Sequence, residues 1–196
     1  MVVAAVSDAR VDELRFVIDF LSPFRVSTGE AAAGVDATID MRDPLPATSL
    51  KGVMRATAKH LLGEKSDLVG RVFGDAERPC RWHWGDAVPV GDPWAPRQIT
   101  ARVQIDKTSR TATRDMLALA EETTAARAEF VITRMAPVQD VELHAAVLAI
   151  AGRATRSLGA ARRRGLGWVS ISCPDVTLNR ATVEKVLAGR SGLVVK

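Results

Sequence analysis

Two segments of this chain alternate apolar and polar side chains with the period of a β-strand that buries only one face. Residues 99–106 show the most regular alternation, and residues 14–20 show the same pattern near the start of the chain. Such strands belong to sheets that are packed on one face and open on the other. Any fold for this sequence must therefore cover one sheet face with other elements.

Two segments of helical period supply that cover. The first helix is predicted over residues 48–62, with Thr48 or Ser49 as its N-cap and Gly63 beyond its last turn. The second is predicted from Asp140, as the capping residue, through about Leu158. Both helices have one apolar face, which is the face expected to pack on a sheet.

The remaining elements complete an ordered pattern of strand, helix, several strands, helix and strand. A short helical segment with a loop is predicted over 68–81. Further strands are predicted over 82–88, 129–133 and 168–173, and a terminal helix over 182–187. This order predicts an α+β protein with both long helices on one face of the sheet, as in a ferredoxin-like fold. Residues 107–127 are polar and alanine-rich, which favours a protruding element outside the core.

Composition limits the possible classes. The 196 residues, 47% apolar and 26% charged, are typical of one globular domain, here 1–196. No apolar run is long enough for a membrane span, and the start of the chain lacks a signal-peptide pattern. Two cysteines, Cys80 and Cys173, make no disulfide framework, so a cytoplasmic location is expected.

Arginines are concentrated in one short segment near the end of the chain. The 27 basic and 23 acidic residues give a net charge of +4, and the cluster comprises Arg153, Arg156, Arg162, Arg163 and Arg164. Arg162, Arg163 and Arg164 stand between glycines that include Gly165 and Gly167. Three consecutive like charges in a tight loop repel one another unless a polyanion compensates them, which favours phosphate binding over a solvated turn.

A second candidate phosphate site lies at the start of the first predicted helix. Ser49 stands there among small residues, and Lys51 and Arg55 share a helix face because they are four residues apart. Exposed N–H groups at a helix start attract anions. A capped helix with two solvated cations explains the same pattern, and the residues alone leave both interpretations open.

The other polar candidates have ordinary explanations. Asp36, Asp40 and Asp43 lie in a Gly-, Ala- and Pro-rich segment, 28–47, which predicts a long loop. The residue pattern alone favours ordinary loop aspartates. Cys80 and His83 have the spacing of half a zinc site without a companion pair, and His60 and His144 suit structural or surface roles.

Taken together, these motifs resemble the RAMP superfamily, in particular the repeated backbone subunits of type III CRISPR effector complexes. Residues 45–52 (LPATSLKG), followed by Arg55, resemble that family's Ile-Pro-Gly-Ser-Ser-Leu-Lys-Gly block and arginine. Residues 158–160 (LGA) and 164–167 (RGLG) resemble its late glycine-rich loop. Weaker matches lie between these blocks, at Phe73-Gly74, Asp86, Ile105-Asp106-Lys107, Ala112, Glu121 or Glu122, and Phe130.

The resemblance implies a modified ferredoxin-like palm, similar to an RNA-recognition motif, in a ribonucleoprotein of antiviral defence. Copies of the chain would stack along a CRISPR guide RNA beside other effector subunits. Residues 107–127 would form a thumb that kinks the duplex of guide and complementary target RNA. The guide phosphates would be held by Ser49, Lys51, Arg55, Arg162, Arg163, Arg164, Gly165 and Gly167.

The resemblance also implies a catalytic aspartate. Asp36 matches the family position whose aspartate cleaves target RNA with Mg²⁺ or another divalent metal, and Asp40 is its rival in the same loop. The implied role of Asp36 is to position or activate the ribose 2′-hydroxyl that attacks the kinked phosphate. Two alternatives remain: a non-catalytic structural filament subunit, or a metal-independent guide-processing ribonuclease with His60, His83 or His144 as its general base.

Overall fold

The main sheet has five antiparallel strands and is covered by helices. The computed structural model describes residues 11–32 and 34–188. In chain order its elements are β1 (Glu13–Phe20), α1 (Ala47–Leu62), α2 (Asp67–Phe73), β2 (Trp82–Trp84), β3 (Val88–Pro89), β4 (Gln98–Ile105), β5 (Ala112–Glu122), β6 (Arg127–Arg134), α3 (Val141–Ala154), β7 (Val169–Ser172) and α4 (Arg180–Ala188). A 3-10 turn, Arg162–Arg164, lies between α3 and β7.

Strand order confirms the α+β, ferredoxin-like prediction. The main sheet runs β2-β6-β1-β7, and β3 pairs with a second part of β6. All of these pairs are antiparallel. Because β2 and β3 pair with successive parts of β6, together they form one interrupted edge strand. The order of strand, helix, strand, strand, helix and strand is that of the ferredoxin-like fold, with α1 and α3 as its two long helices.

The core lies between the sheet and these two helices. Leu14, Phe16 and Ile18 alternate along β1 and are almost fully buried. Phe16 stands opposite Phe130 of β6, and their rings stack with centroids 4.9 Å apart. Helix α1 buries one residue per turn, namely Leu50, Met54, Ala58 and Leu62, and packs against α3. The alternation predicted for the first strand is therefore the observed packing pattern.

Helix α1 begins differently from the prediction. Its N-cap is Pro46, which makes no side-chain capping bond, and Thr48 and Ser49 lie inside the first turn. The predicted caps are therefore wrong. The Ala47 N–H instead donates a 2.8 Å hydrogen bond to Asp86 Oδ1, after β2. An acceptor distant in sequence satisfies a helix start that the local hydroxyls leave unpaired.

Helix α3 begins as predicted but ends earlier. The Asp140 side chain accepts a hydrogen bond from the Leu143 N–H. The helix stops at Ala154 and not at Leu158, because Thr155 turns to an extended conformation. Its hydroxyl lies 2.9 Å from the Thr57 hydroxyl of α1 and donates to the Ala151 carbonyl. The chain beyond Thr155 is then free to pair with the segment before β7.

Strands β4 and β5 form a separate two-stranded sheet inserted before β6. They pair antiparallel, and most of their side chains are exposed. The predicted strand over 99–106 therefore exists, but its only pairing partner in the described residues is β5. Residues 107–127 comprise the turn, β5 and the return to β6. Their role as a thumb stays a prediction.

An aromatic cluster anchors the base of this hairpin on the main sheet. Phe20 and Phe24 stack with centroids 4.9 Å apart, and Trp94, just before β4, meets both rings nearly edge-on. Backbone hydrogen bonds between Phe24 and Thr123 join the same region to the end of β5. Among the described residues, no helix is long and apolar enough to cross a membrane.

Candidate nucleic-acid interface

The three candidates on α1 project from about two turns of helix. Ser49, Lys51 and Arg55 are all partly exposed. Lys51 lines a groove of about 360 Å³ between α1 and the edge strand β2, together with His83. Arg55 Nε is buried without a hydrogen-bond partner among the described residues. A buried guanidinium donor that lacks an acceptor is a candidate for pairing with a bound anion.

The arginine turn presents three charges that have no ion-pair partner among the described residues. Arg162, Arg163 and Arg164 form the 3-10 turn, and all three are exposed. The turn is framed by left-handed residues, Ala161 at φ 56° and Gly165 at φ 86°. Within residues 11–32 and 34–188, none of the three arginines forms an ion pair. The turn is therefore built to hold like charges side by side at the surface.

Gly165 and Gly167 occupy different environments. Gly165 is exposed, and a Cβ there would meet open space. Gly167 is buried at φ 68°, and a Cβ there would overlap the Leu158 carbonyl oxygen. Its N–H donates a 2.7 Å hydrogen bond to the Pro23 carbonyl, and its own carbonyl accepts from Leu158. Gly167 therefore has a packing role in the frame of the turn, and its predicted contact with RNA stays a prediction.

A groove of about 640 Å³ separates the arginine turn from the hairpin. Its lining combines cations, an amide and apolar side chains: Arg102, Val103, Gln104, Met116, Ala118 and Arg164. Arg102 also forms a 3.1 Å ion pair through Nη2 with the buried Glu122, which fixes one side of the guanidinium. Arginines bind phosphates, and exposed apolar side chains contact bases and sugars. The groove has the chemistry of a nucleic-acid backbone site.

Asp36 lies against the same hairpin. The Leu119 N–H donates a 2.8 Å hydrogen bond to Asp36 Oδ2, and the Asp36 N–H donates to the Leu119 carbonyl at 2.9 Å. Ala37 forms a parallel bridge with Ala120. The side chain of Asp36 is exposed, whereas Val35 beside it is buried. Leu119 follows Ala118, which lines the groove together with Arg164, so Asp36 is bonded to β5 one residue away from the groove lining.

The other loop aspartates, Asp40 and Asp43, make different contacts. Burial raises the pKa of Asp43, and the neighbouring charges of Asp86 and Asp40 raise it further. Asp40 Oδ1 accepts a hydrogen bond from the Arg42 N–H. Asp40 thus lies close enough to Asp43 for its charge to raise that pKa, and its own side chain bonds to the backbone of its loop. No group of three or more His, Cys, Asp or Glu suited to a metal occurs among the described residues.

Comparison with known proteins places this architecture in a family. The model of the RAMP superfamily matches residues 17–170. The chain belongs to the RAMP superfamily. That match runs from within β1 to within β7 and includes the hairpin, the Asp36 loop and the arginine turn.

Two solved structures share the fold of this RAMP chain. A chain of the type III-B Cmr-beta complex bound to cognate target RNA superposes with a TM-score of 0.63 and is 13% identical, over 82% of this chain and 96% of that one. A chain of Cmr-beta in the apo state gives a TM-score of 0.62 at 12% identity, over 84% and 98%. No curated protein matches the sequence significantly.

His144 of the RAMP domain has a structural role. It is 3% exposed, and its Nδ1 accepts a 3.2 Å hydrogen bond from Trp82 Nε1. Burial lowers the pKa of His144, and the charge of Arg71 lowers it further, against the opposing effect of Asp140. A buried imidazole committed to a tryptophan is poorly placed as a general base. His60 and His83 are exposed on α1 and β2.

Sequence reasoning missed two arginines near the groove. The sequence pattern could have identified Arg102, because alternation along 99–106 puts Arg102 and Gln104 on one face of β4, and both line the groove. No sequence pattern indicated Arg25. It is 8% exposed, and its Nε and Nη1 lack hydrogen-bond partners in the described residues. Burial and the charge of Arg102 lower the pKa of Arg25, a tertiary effect that the sequence does not reveal.

Proposed function

We propose that this RAMP chain is a guide-RNA-binding backbone subunit of a type III-like CRISPR ribonucleoprotein. Copies of the chain stack along the guide beside other effector subunits, and the complex captures complementary target RNA. Support comes from the family membership and from the fold shared with chains of Cmr-beta complexes, one of which is bound to cognate target RNA.

The observation that carries the proposal is the groove between hairpin and arginine turn. Arg102 of the hairpin and Arg164 of the arginine turn both line it and provide two cations for successive phosphates, and Met116 of the hairpin lines it with them. Contacts of this kind go to the RNA backbone and carry little sequence information. Lys51 and Arg55 extend the basic surface along α1. Binding is therefore expected to depend strongly on salt and weakly on sequence.

The chain also cleaves target RNA in this proposal, with Asp36 as the catalytic residue. Asp36 is exposed and is fixed to β5 close to the groove, so its carboxylate can meet a target strand held there. It positions the ribose 2′-hydroxyl that attacks the adjacent phosphate. A kink at the hairpin supplies the in-line geometry that a regular duplex lacks.

A divalent metal fits this site only if the RNA supplies some of its ligands. Asp36 is the one carboxylate offered at this point of the hairpin among the described residues, since Glu121 and Glu122 are buried in other contacts. Mg²⁺ commonly uses one or two carboxylates, with phosphate oxygens and water completing its shell. Asp36 would hold the ion together with the RNA phosphate, and the ion would stabilise charge developing on that phosphate.

The deciding experiment uses the complex purified with its guide. Labelled complementary RNA is incubated with Mg²⁺ and with complexes containing the wild-type chain, Asp36→Ala or Asp40→Ala. Regularly spaced cuts that disappear only in Asp36→Ala are expected, with target affinity unchanged in all three complexes. Asp40 is the matched control because it lies in the same loop but makes its contact with Arg42.

Other outcomes identify the alternatives. Target binding without cuts in any complex indicates a structural filament subunit. Cutting that survives EDTA and is abolished by His60→Ala or His83→Ala indicates a metal-independent guide-processing ribonuclease. Cuts lost in Asp40→Ala and retained in Asp36→Ala reassign the catalytic residue. Loss of guide-dependent binding under all conditions contradicts the proposal as a whole.

A further inference from the structure

A buried carboxylate joins the Asp36 loop to the hairpin. Glu121, near the end of β5, is 5% exposed. Its Oε2 accepts a 3.0 Å hydrogen bond from the Ile39 N–H, and its own N–H donates to the Ala37 carbonyl at 2.9 Å. Its Oε1 lies 3.1 Å from Arg97 Nη1. One residue of the hairpin therefore makes both a main-chain and a side-chain contact with the loop.

These contacts extend the attachment made by Asp36 itself. With the two hydrogen bonds to Leu119 and the parallel bridge of Ala37 and Ala120, the loop runs beside β5 as a short third strand. Buried Val35 and Ile39 close its two ends. The Asp36 carboxylate is exposed in the middle of this short strand. Its position is consequently set by the hairpin.

Glu122 provides an internal contrast. It is equally buried, at 5% exposure, and it also forms an ion pair with an arginine of the hairpin, Arg102. Its second partner is the Thr100 hydroxyl, which belongs to β4. Its side-chain contacts therefore stay within the hairpin. Of these two adjacent glutamates, only Glu121 bonds to the loop.

We propose that Glu121 is a positioning residue that fixes the Asp36 loop to the hairpin, so that loop and hairpin move as one unit. The inference rests on the proposed function for its catalytic consequence, whereas the coupling itself is independent of cleavage. A hairpin that shifts when it engages the duplex carries Asp36 with it. Cleavage is then linked to correct seating of the hairpin, because an unfixed loop holds Asp36 in many orientations.

The first measurement does not require activity. Hydrogen exchange of backbone amides is followed in the purified complex carrying wild type, Glu121→Ala, Glu121→Gln or Glu122→Ala. We expect Glu121→Ala to speed exchange in the segment 35–39 by about tenfold, the effect of losing one hydrogen bond to a charged acceptor. Glu121→Gln keeps an oxygen for the Ile39 N–H and should remain within about threefold of wild type. Glu122→Ala should leave the segment at the wild-type rate.

The second measurement is single-turnover cleavage at saturating target RNA. Glu121→Ala should slow the cut by about tenfold at unchanged target affinity, and Glu121→Gln should restore it. Exchange of β1 and β6 amides in the same samples reports on the fold of each variant. Arg97→Ala removes the ion pair but keeps the hydrogen bond to Ile39, so it should disturb loop exchange and cleavage less than Glu121→Ala does.

The results separate this proposal from the proposed function. Equal exchange of 35–39 in Glu121→Ala and wild type overturns the coupling, whatever the complex cleaves. Faster loop exchange with an unchanged cleavage rate overturns the positioning role. Equal slowing of cleavage in Glu121→Ala and Glu122→Ala also overturns the positioning role, because general loosening of the hairpin would then be sufficient to explain the slower cut. A wild-type complex that never cuts refutes the nuclease function, while the exchange data still decide whether Glu121 couples loop and hairpin.

Discussion

Asp86 caps a helix that begins 39 residues before it. Its Oδ1 accepts a 2.8 Å hydrogen bond from the Ala47 N–H, at the start of α1. Lys51 and Arg55 lie in the first turns beyond that bond. The interruption of the edge strand, between β2 and β3, therefore orients the part of the helix that carries two of the proposed RNA-binding cations. An aspartate near a helix start also interacts favourably with the helix dipole.

Removing this cap should destabilise the domain. We expect Asp86→Ala to lower the free energy of unfolding by about 1 kcal/mol, the typical effect of losing an N-cap acceptor. Urea denaturation followed by far-UV circular dichroism measures the change. Asp92→Ala is the control, since Asp92 is exposed and makes no side-chain hydrogen bond or ion pair among the described residues. Equal stability of Asp86→Ala and wild type would show that water replaces the cap without loss.

The two glycines of the arginine turn should respond very differently to alanine. Gly167→Ala places a Cβ against the Leu158 carbonyl at a positive φ, so a loss of about 3 kcal/mol or more is expected. Gly165→Ala meets open space and bears only the cost of its positive φ, about 1–2 kcal/mol. Thermal unfolding of the two variants compares these losses. A milder effect at Gly167 than at Gly165 would contradict the packing role described for it.

Stability should fall on acidification through His144. Its pKa in the folded chain lies below the ordinary value of 6.5, chiefly through burial. Between these two values the unfolded chain binds more protons than the folded chain, so stability rises with pH there and is lost as pH falls. We expect the Tm of wild type to drop more steeply from about pH 7.5 to about pH 5.5 than that of His144→Gln, whose amide oxygen still accepts from Trp82. Parallel Tm curves would assign the pH dependence to other groups.

Guide binding should become less dependent on salt when groove cations are removed. Removing one phosphate-binding cation is expected to reduce the slope of log K against log salt by about 0.7 for a single strand. Arg164→Ala should show a reduction of about this size, and Lys51→Ala with Arg55→Ala a larger one together with loss of guide retention. Arg180→Ala is the control, because Arg180 is paired with Glu184 on α4. Unchanged retention in the double variant would remove Lys51 and Arg55 from the interface.

Local patterns predicted the elements of the palm well. Alternation located β1, and helical period located α1 and α3, because these segments bury one face with the regularity that their backbone geometry requires. The pairing of the strands was harder to predict from the sequence. The regular strand at 98–105 gives no indication that it leaves the main sheet and pairs only with β5 among the described residues, since a period of two describes a face and not a partner.

The candidate site was predictable only in part. Charge clustering singled out Arg162, Arg163 and Arg164, which lie exposed on the 3-10 turn, and their contact with RNA stays a prediction. Other features depend on contacts far apart in sequence. Asp36 and Leu119 are separated by 83 positions, and the cap from Asp86 to Ala47 replaces the local hydroxyls that the sequence favoured. Such contacts arise from tertiary packing, which no short pattern encodes.

The aromatic cluster beneath the hairpin makes substitutions at the base of the hairpin and substitutions farther out differ in their effect on stability. Phe20, Phe24 and Trp94 secure the hairpin at its base, whereas side chains farther out, such as Ile105 and Leu117, remain more than half exposed. Substitutions near the tip of the hairpin therefore have little effect on the stability of the domain. Mutations there can be screened for changes in ligand preference without first restoring stability. The hairpin is in this sense the part of the molecule most open to redesign.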